Sequence, residues 1–336
     1  MQSPRYIPSL HVVALLTAAA TFPLIFMGGL VTSHQAGLSV PDWPNSYGYN
    51  MFLFPPHLWI GGILYEHTHR LMGTVVGMLS IVLAVWAFRV ETPRWVRWLA
   101  ASTLLAVILQ GILGGLRVVL VKLDLAIVHA CVAQAFFCLA ALVAVVTSRW
   151  WIESQDPPVT RNAVQGRRLI RACLFVLFAI YAQLVVGATM RHYDAGLAVP
   201  DLPLAYGKLI PHTDPASMDL YNQYRAWDLN LPPVTAKQIW LHMGHRLGAV
   251  LVTLLVLWAS SLVFLRHRSQ RALVIPASIL IVLIVLQITL GTLTVLKRKP
   301  ADVASAHVAV GALILVTMFI LSVRVVRLRA SSQAAH

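Results

Sequence analysis

The stretch Ala36-Gly37-Leu38-Ser39-Val40-Pro41-Asp42-Trp43-Pro44-Asn45-Ser46-Tyr47-Gly48 recurs as Ala195-Gly196-Leu197-Ala198-Val199-Pro200-Asp201-Leu202-Pro203-Leu204-Ala205-Tyr206-Gly207. The register continues beyond it. Glu66-x-x-His69-Arg70-Leu71 stands opposite His242-x-x-His245-Arg246-Leu247, Gln110 and Gly114 opposite Gln287 and Gly291, and His129 opposite His307. Self-similarity of this length marks a duplicated structural unit. The halves run over residues 1–148 and 168–330, joined by a basic, proline-containing linker at 149–167. The repeated Ala-Gly-Leu-x-Val-Pro-Asp segment reads either as a structural loop, with Gly and Pro setting its turns, or as a flap over a bound ligand.

Outward from the repeat the chain is apolar. Hydrophobic residues make up 58% and charged residues 11%, with a mean hydropathy of +0.75, against about 25% charged in soluble domains. Apolar runs of membrane-crossing length recur, and predict helices over 10–31, 63–88, 98–116, 125–147, 169–190, 239–265, 273–296 and 303–323. The fold class expected is therefore an all-α integral membrane protein. Its eight transmembrane helices form two homologous four-helix bundles related by a pseudo-two-fold axis along the membrane normal, as parallel repeats are. The first run ends in Gly28-Gly29-Leu30-Val31 rather than at a small-residue cleavage site, and reads as a retained helix.

The net charge of +14 does not call for nucleic acid. Arg5, Arg89, Arg94, Arg97, Arg149, Arg161, Arg167, Arg168, Arg171, Arg266, Arg268, Arg271, Arg324, Arg327 and Arg329 all fall on one side if both termini are cytoplasmic, while Thr32 to Gly62 holds no Lys or Arg. The positive-inside rule accounts for that distribution, and predicts a multi-pass protein of the inner (cytoplasmic) membrane with its long loops outside. Cys131, Cys138 and Cys173 lie in predicted helices, so no exported disulfide is expected.

Predicted helices 2, 4, 6 and 8 each carry one repeat-matched histidine within about two turns of the outer end: His69, His129, His245 and His307. A lone histidine on an apolar helix is usually a hydrogen-bonded core residue. Four at matched depth point to ligation, because ligating side chains inside a membrane are costly and face functional interiors. A zinc site would add Cys or closely spaced His; one imidazole pair per bundle suits an iron porphyrin between axial ligands. The expected metal ligands to heme iron are thus His69 with His129 and His245 with His307. Arg70 and Arg246 follow their histidines directly and suit heme propionates, or else are ordinary snorkelling cations. Glu66 shares a helix face with His69, while its counterpart is His242. A carboxylate beside a heme edge is a candidate acid, base or charge-stabilising group, although a helix N-terminus favours one anyway. His67 points elsewhere, and His34, His57, His192 and His212 read as surface residues.

At these residues the sequence resembles the heme A synthase family: Glu66-x-x-His69-Arg70, the Ala-Gly-Leu-x-Val-Pro-Asp-Trp-Pro loop, Gln110 with Gly114 and Gly115, and the histidines of helices 4, 6 and 8. The resemblance implies oxidation of a heme O methyl to a formyl group through hydroxylated intermediates, with oxygen from water. It implies heme O as substrate near His69, His129 and Arg70 with Glu66 catalytic, and heme b as cofactor on His245 and His307 near Arg246. Implied partners are an electron acceptor such as a quinone, a heme O synthase and cytochrome oxidase; assembly as a homo-oligomer stays open. Many members carry an outer-loop cysteine pair, and this chain has none there. The competing classes are a di-heme b-type electron-transfer subunit and a transporter, the latter placing functional residues near mid-membrane. The extra residues from Pro215 to Asn230 have no assigned chemistry.

Overall fold

The computed structural model describes residues 5–90, 93–153 and 163–333. Arg161 and the middle of the linker expected between the halves, residues 154–162, lie outside the described residues. The helices are α1 (Pro8–Ser33), α2 (Gly61–Val90), α3 (Arg94–Leu120), α4 (Leu123–Val146), the short α5 (Arg149–Glu153), α6 (Ala163–His192), α7 (Pro215–Trp227), α8 (Ala236–Arg266), α9 (Arg271–Leu296) and α10 (Ala301–Gln333). Eight of these are long and apolar enough to cross a membrane, and among the described residues no strand forms beyond two isolated bridges. Helical hydrogen bonding satisfies backbone polar groups within each segment, as hydrocarbon demands. The helices overrun the predicted spans by several residues because charged ends such as Arg94 and Arg167-Arg168 extend the helix past its apolar run.

Helix ends follow local chemistry. Pro8 occupies the first turn of α1, where a missing N–H costs nothing. Thr235 and Gln238 form a reciprocal capping box on α8. Between α3 and α4 the chain turns within two residues, with Val121 left-handed at φ 49°. Arg298 and Lys299 do likewise between α9 and α10. The long connections follow α1 and α6. Arg117 near the end of α3 donates to Gly37 O at 2.9 Å, and Arg298 after α9 donates to Leu229 O at 3.1 Å, so loops and tight turns share one end of the molecule.

α1 packs on α2, α4 and α10; α10 packs on α1, α4, α6 and α9; α2 and α3 flank one side, and α8 and α9 the other. Of the α10 span, 67% is buried, against 22% for α3, which makes α10 the axis of the core. Gly29 allows α1 to approach Ser305 of α10 closely, and Ser33 Oγ meets Ser305 Oγ at 3.1 Å. Small residues serve this purpose wherever membrane helices touch.

The extra segment after α6 builds α7, capped by Asp214. Its inner face is pinned by Tyr221 stacked on Tyr206 (3.9 Å between ring centres) and by the buried Arg225, which donates to Pro232 O, Leu197 O and Tyr206 Oη. α7 is thus a brace behind the second repeated loop. Bonds to a charged donor contribute about 1.5–3 kcal/mol each. Arg225→Met is expected to free α7, raising the rate of protease cleavage within residues 215–235 about tenfold, the equivalent of ~1.4 kcal/mol.

Candidate functional site

Both repeated loops are built alike. Asp42 accepts from the backbone N–H groups of Tyr47 (2.7 Å) and Gly48 (2.8 Å), and Asp201 from those of Tyr206 (2.8 Å) and Gly207 (2.9 Å). Tyr47 (φ 52°) with Gly48 (φ 77°), and Tyr206 (φ 52°) with Gly207 (φ 74°), are consecutive left-handed residues, the backbone of a tight hairpin turn in which Gly is favoured. Burial pushes the Asp42 carboxyl up, but the N–H groups of Gly48 and Tyr47, with the Arg70 charge, outweigh it and hold the group below its ordinary value.

Each loop is anchored to the helix beneath by an arginine that follows a predicted ligand. Arg70 donates to Val40 O (2.7 Å), Asp42 O (2.7 Å), Asn45 O (2.9 Å) and Glu66 Oε1 (2.9 Å), which occupies all of its terminal N–H groups. Arg246 donates to Val199 O (2.9 Å), Asp201 O (2.8 Å) and Leu204 O (3.0 Å). Glu66, 2% exposed, accepts from Val40 N at 2.9 Å; its counterpart His242 accepts from Val199 N at 3.3 Å through Nδ1. In this state the two unlike residues perform one structural task.

His69, His129, His245 and His307 are all partly buried. Each ring rests against a glycine of the neighbouring helix. A Cβ on Gly28 would stand 3.1 Å from His69 Cε1, on Gly114 3.2 Å from His129, on Gly187 3.0 Å from His245 and on Gly291 3.0 Å from His307. Gln110 donates to His129 O (3.1 Å) and Gln183 to His245 O (2.8 Å), while the Gln287 amide is 3.4 Å from His307 Nε2. The His245 and His307 ring centres are 6.3 Å apart. Two imidazoles joined to one metal ion by bonds of about 2 Å have ring centres about 6 Å apart, so these two residues would fit a heme iron between them. The Nδ1 atoms of His69, His129 and His307 are buried without a partner. Among the described residues no three His, Cys, Asp or Glu side chains gather as a metal site of their own; pairs are what the fold offers.

His67 is wholly buried against Ser46, Phe54 and Trp59, below the loop. His34, His57 and His212 are exposed as expected, but His192 is half-buried at the end of α6, near Arg117 and Arg191. Those two arginines, the glycine cradles and the packing of Trp43 on Gly115 escaped the sequence reading. Carrying the repeat eight residues back from Ala36 and Ala195 would have paired Gly28 with Gly187.

Helices long and apolar enough to cross a membrane, with paired histidines below anchored loops, define a polytopic membrane protein. The pattern of the COX15-CtaA family, described as cytochrome oxidase assembly protein, matches residues 62–319. The chain is 31% identical to the heme A synthase of Symbiobacterium thermophilum over 74% of either chain. It is 27% identical to that of Shouchella clausii, covering 84% of this chain and 85% of the relative. With that of Shewanella oneidensis it shares 24% identity, covering 90% and 92%. The chain belongs to the COX15-CtaA family, that of the heme A synthases.

Two outcomes test the geometry. Gly187→Val drives a side chain into the His245 ring and is expected to lower the heme content of the purified protein, read from its spectrum. The contribution of Asp42 is full above the ordinary carboxylate value of about 3.9 and is lost as pH falls through its lower folded value. Protease cutting in residues 36–50 should therefore rise in acid for the wild type, whereas Asp42→Asn should be cut faster at neutral pH and lose that acid step.

Proposed function

We propose that the N-terminal half, residues 1–148, oxidises a ring methyl of heme O to the formyl group of heme A, while the C-terminal half, residues 168–330, holds a heme b that carries electrons away. As a family member the protein is a membrane-bound, heme-modifying oxidoreductase. The observation that supports the division of labour is the 6.3 Å spacing of His245 and His307, the pair that would hold the heme iron. His69 and His129, each against its glycine, hold the substrate.

Conversion of methyl to formyl takes one water and releases four protons and four electrons, through a hydroxylated intermediate. Heme b on His245 and His307 would supply the one-electron redox centre that passes these electrons to an acceptor such as a quinone. Glu66 is held by Val40 N–H and Arg70, so its carboxylate is fixed beside the His69 face of α2 rather than free to wander. There it orients water or opposes positive charge developing at the methyl carbon. Arg70 locks the loop over the site and excludes bulk water. Both termini face the cytoplasm and the loops lie outside the cytoplasmic membrane, following the arginine distribution. The two halves are four-helix units related by an axis along the membrane normal.

The electron-transfer reading keeps one observation in its favour: Glu66 and His242 make equivalent loop bonds, so Glu66 has a structural task that accounts for it without any chemistry on heme. Hemes extracted from cells supplied with heme O separate the two. Wild type should yield heme b with heme O, hydroxylated heme and heme A; Glu66→Gln should lower heme A at least tenfold while retaining heme b. Heme A at the wild-type rate in the variant would remove Glu66 from the chemistry, and two fixed b hemes in the wild type would favour electron transfer.

A further inference from the structure

Two half-buried arginines, Arg117 and Arg191, have no assigned task. Arg117 lies three residues beyond Gly114, the cradle of His129, and Arg191 four residues beyond Gly187, the cradle of His245. At those spacings a side chain sits on the same helix face one turn on, here toward the loop-bearing end. Each guanidinium therefore comes just beyond a histidine ring, where the edge of a porphyrin held by that ring would emerge.

Arg117 uses Nη2 to reach Gly37 O, and Arg191 uses Nη2 to reach Gly29 O and Ser33 Oγ. Among the described residues the ion pairs are Arg70–Glu66, Arg149–Glu153 and Lys299–Asp194, so neither arginine has a carboxylate in contact. Arg117 has the Glu66 charge only beyond contact distance, and a half-buried cation without a counter-charge in contact is costly; an anion arriving beside it removes that cost. Arg70, the adjacent candidate in the first half, has all four terminal N–H groups committed, three to loop carbonyls and one to Glu66, and Arg246 has three of its four committed to loop carbonyls.

We propose that Arg117 and Arg191 are the carboxylate-binding residues of the two porphyrin sites, Arg117 taking a propionate of the group on His69 and His129, and Arg191 one of the group on His245 and His307. This rests on the heme-binding reading above. Their Nε and Nη1 atoms supply the donors, with the planar fork suited to a carboxylate. Arg70 and Arg246 act on the porphyrin through the loops they anchor.

The test uses the full-length protein in detergent, with heme b and its dimethyl ester as probes. Wild type should retain the free acid at least tenfold longer than the ester when challenged with a heme-scavenging globin. Arg117→Gln should abolish that preference at the first site only, and Arg191→Gln at the second only. Arg191→Gln should also lower the midpoint potential of the second heme, because losing a nearby cation favours the ferric state. Unchanged preference and potential in both variants would overturn the proposal, as would equal retention of acid and ester by the wild type. Failure of the wild type to bind either porphyrin would instead overturn the heme-binding reading itself.

Discussion

The guanidinium of Arg70 is the interaction on which the loop-bearing end depends. One turn of α2 carries Glu66, His69 and Arg70, and the arginine joins that turn to the carbonyls of Val40, Asp42 and Asn45. Loop carbonyls near a membrane boundary need donors, and charged donors give the stronger bonds. Because Arg70 is covalently next to His69, loop position and ring position cannot vary independently. Arg246 imposes the same coupling on His245. The constraint runs from chain adjacency to loop geometry to the site beneath.

Much of this was legible in the sequence because hydrocarbon leaves few choices. Apolar runs near 20 residues must become helices, and all eight did. Histidines at matched depth could be found because the repeat gives helical register directly. The loop's reach was less legible: Arg70 looked like a ligand-binding cation because the sequence could not say which carbonyls would fold down onto it. His192 looked like a loop residue, but α6 runs on to include it and half-buries it. The segment after Pro215 offered no motif, since its role is bracing; Tyr221 and Arg225 acquire meaning only when Tyr206 and Leu197 lie against them. Long-range contacts of this sort leave no periodic trace.

The glycines show the limit from the other side. Gly114 and Gly291 stood out as repeat-matched, yet a helical glycine is unremarkable until a partner ring is placed on it. Gly28, Gly114, Gly187 and Gly291 each give a histidine room that even a methyl group would narrow. A ring packed against bare backbone has few rotamers left, which fixes the direction of its nitrogens before any metal arrives. Such preorganisation lowers the cost of binding, and in the second pair it yields two rings already at 6.3 Å.

The two loop anchors are alike in geometry and differ in charge. Near the first pair stand Arg70 and Arg117 with Glu66; near the second stand Arg246 and Arg191 with His242, which contributes no negative charge whatever its protonation. Both loops contribute an aspartate, Asp42 and Asp201, so these cancel in the comparison. The surroundings of the second pair are thus more positive by the charge of Glu66. Within the proposed function this has two consequences from one cause. A dianionic porphyrin is held more firmly in the second half, as a resident cofactor should be, and less firmly in the first, where a substrate must leave as product. The same excess charge favours the reduced metal in the second half, which directs electrons from the reacting group toward it. Replacing a carboxylate by an imidazole at one loop anchor, without changing the bond it makes to the loop, is enough to set both directions.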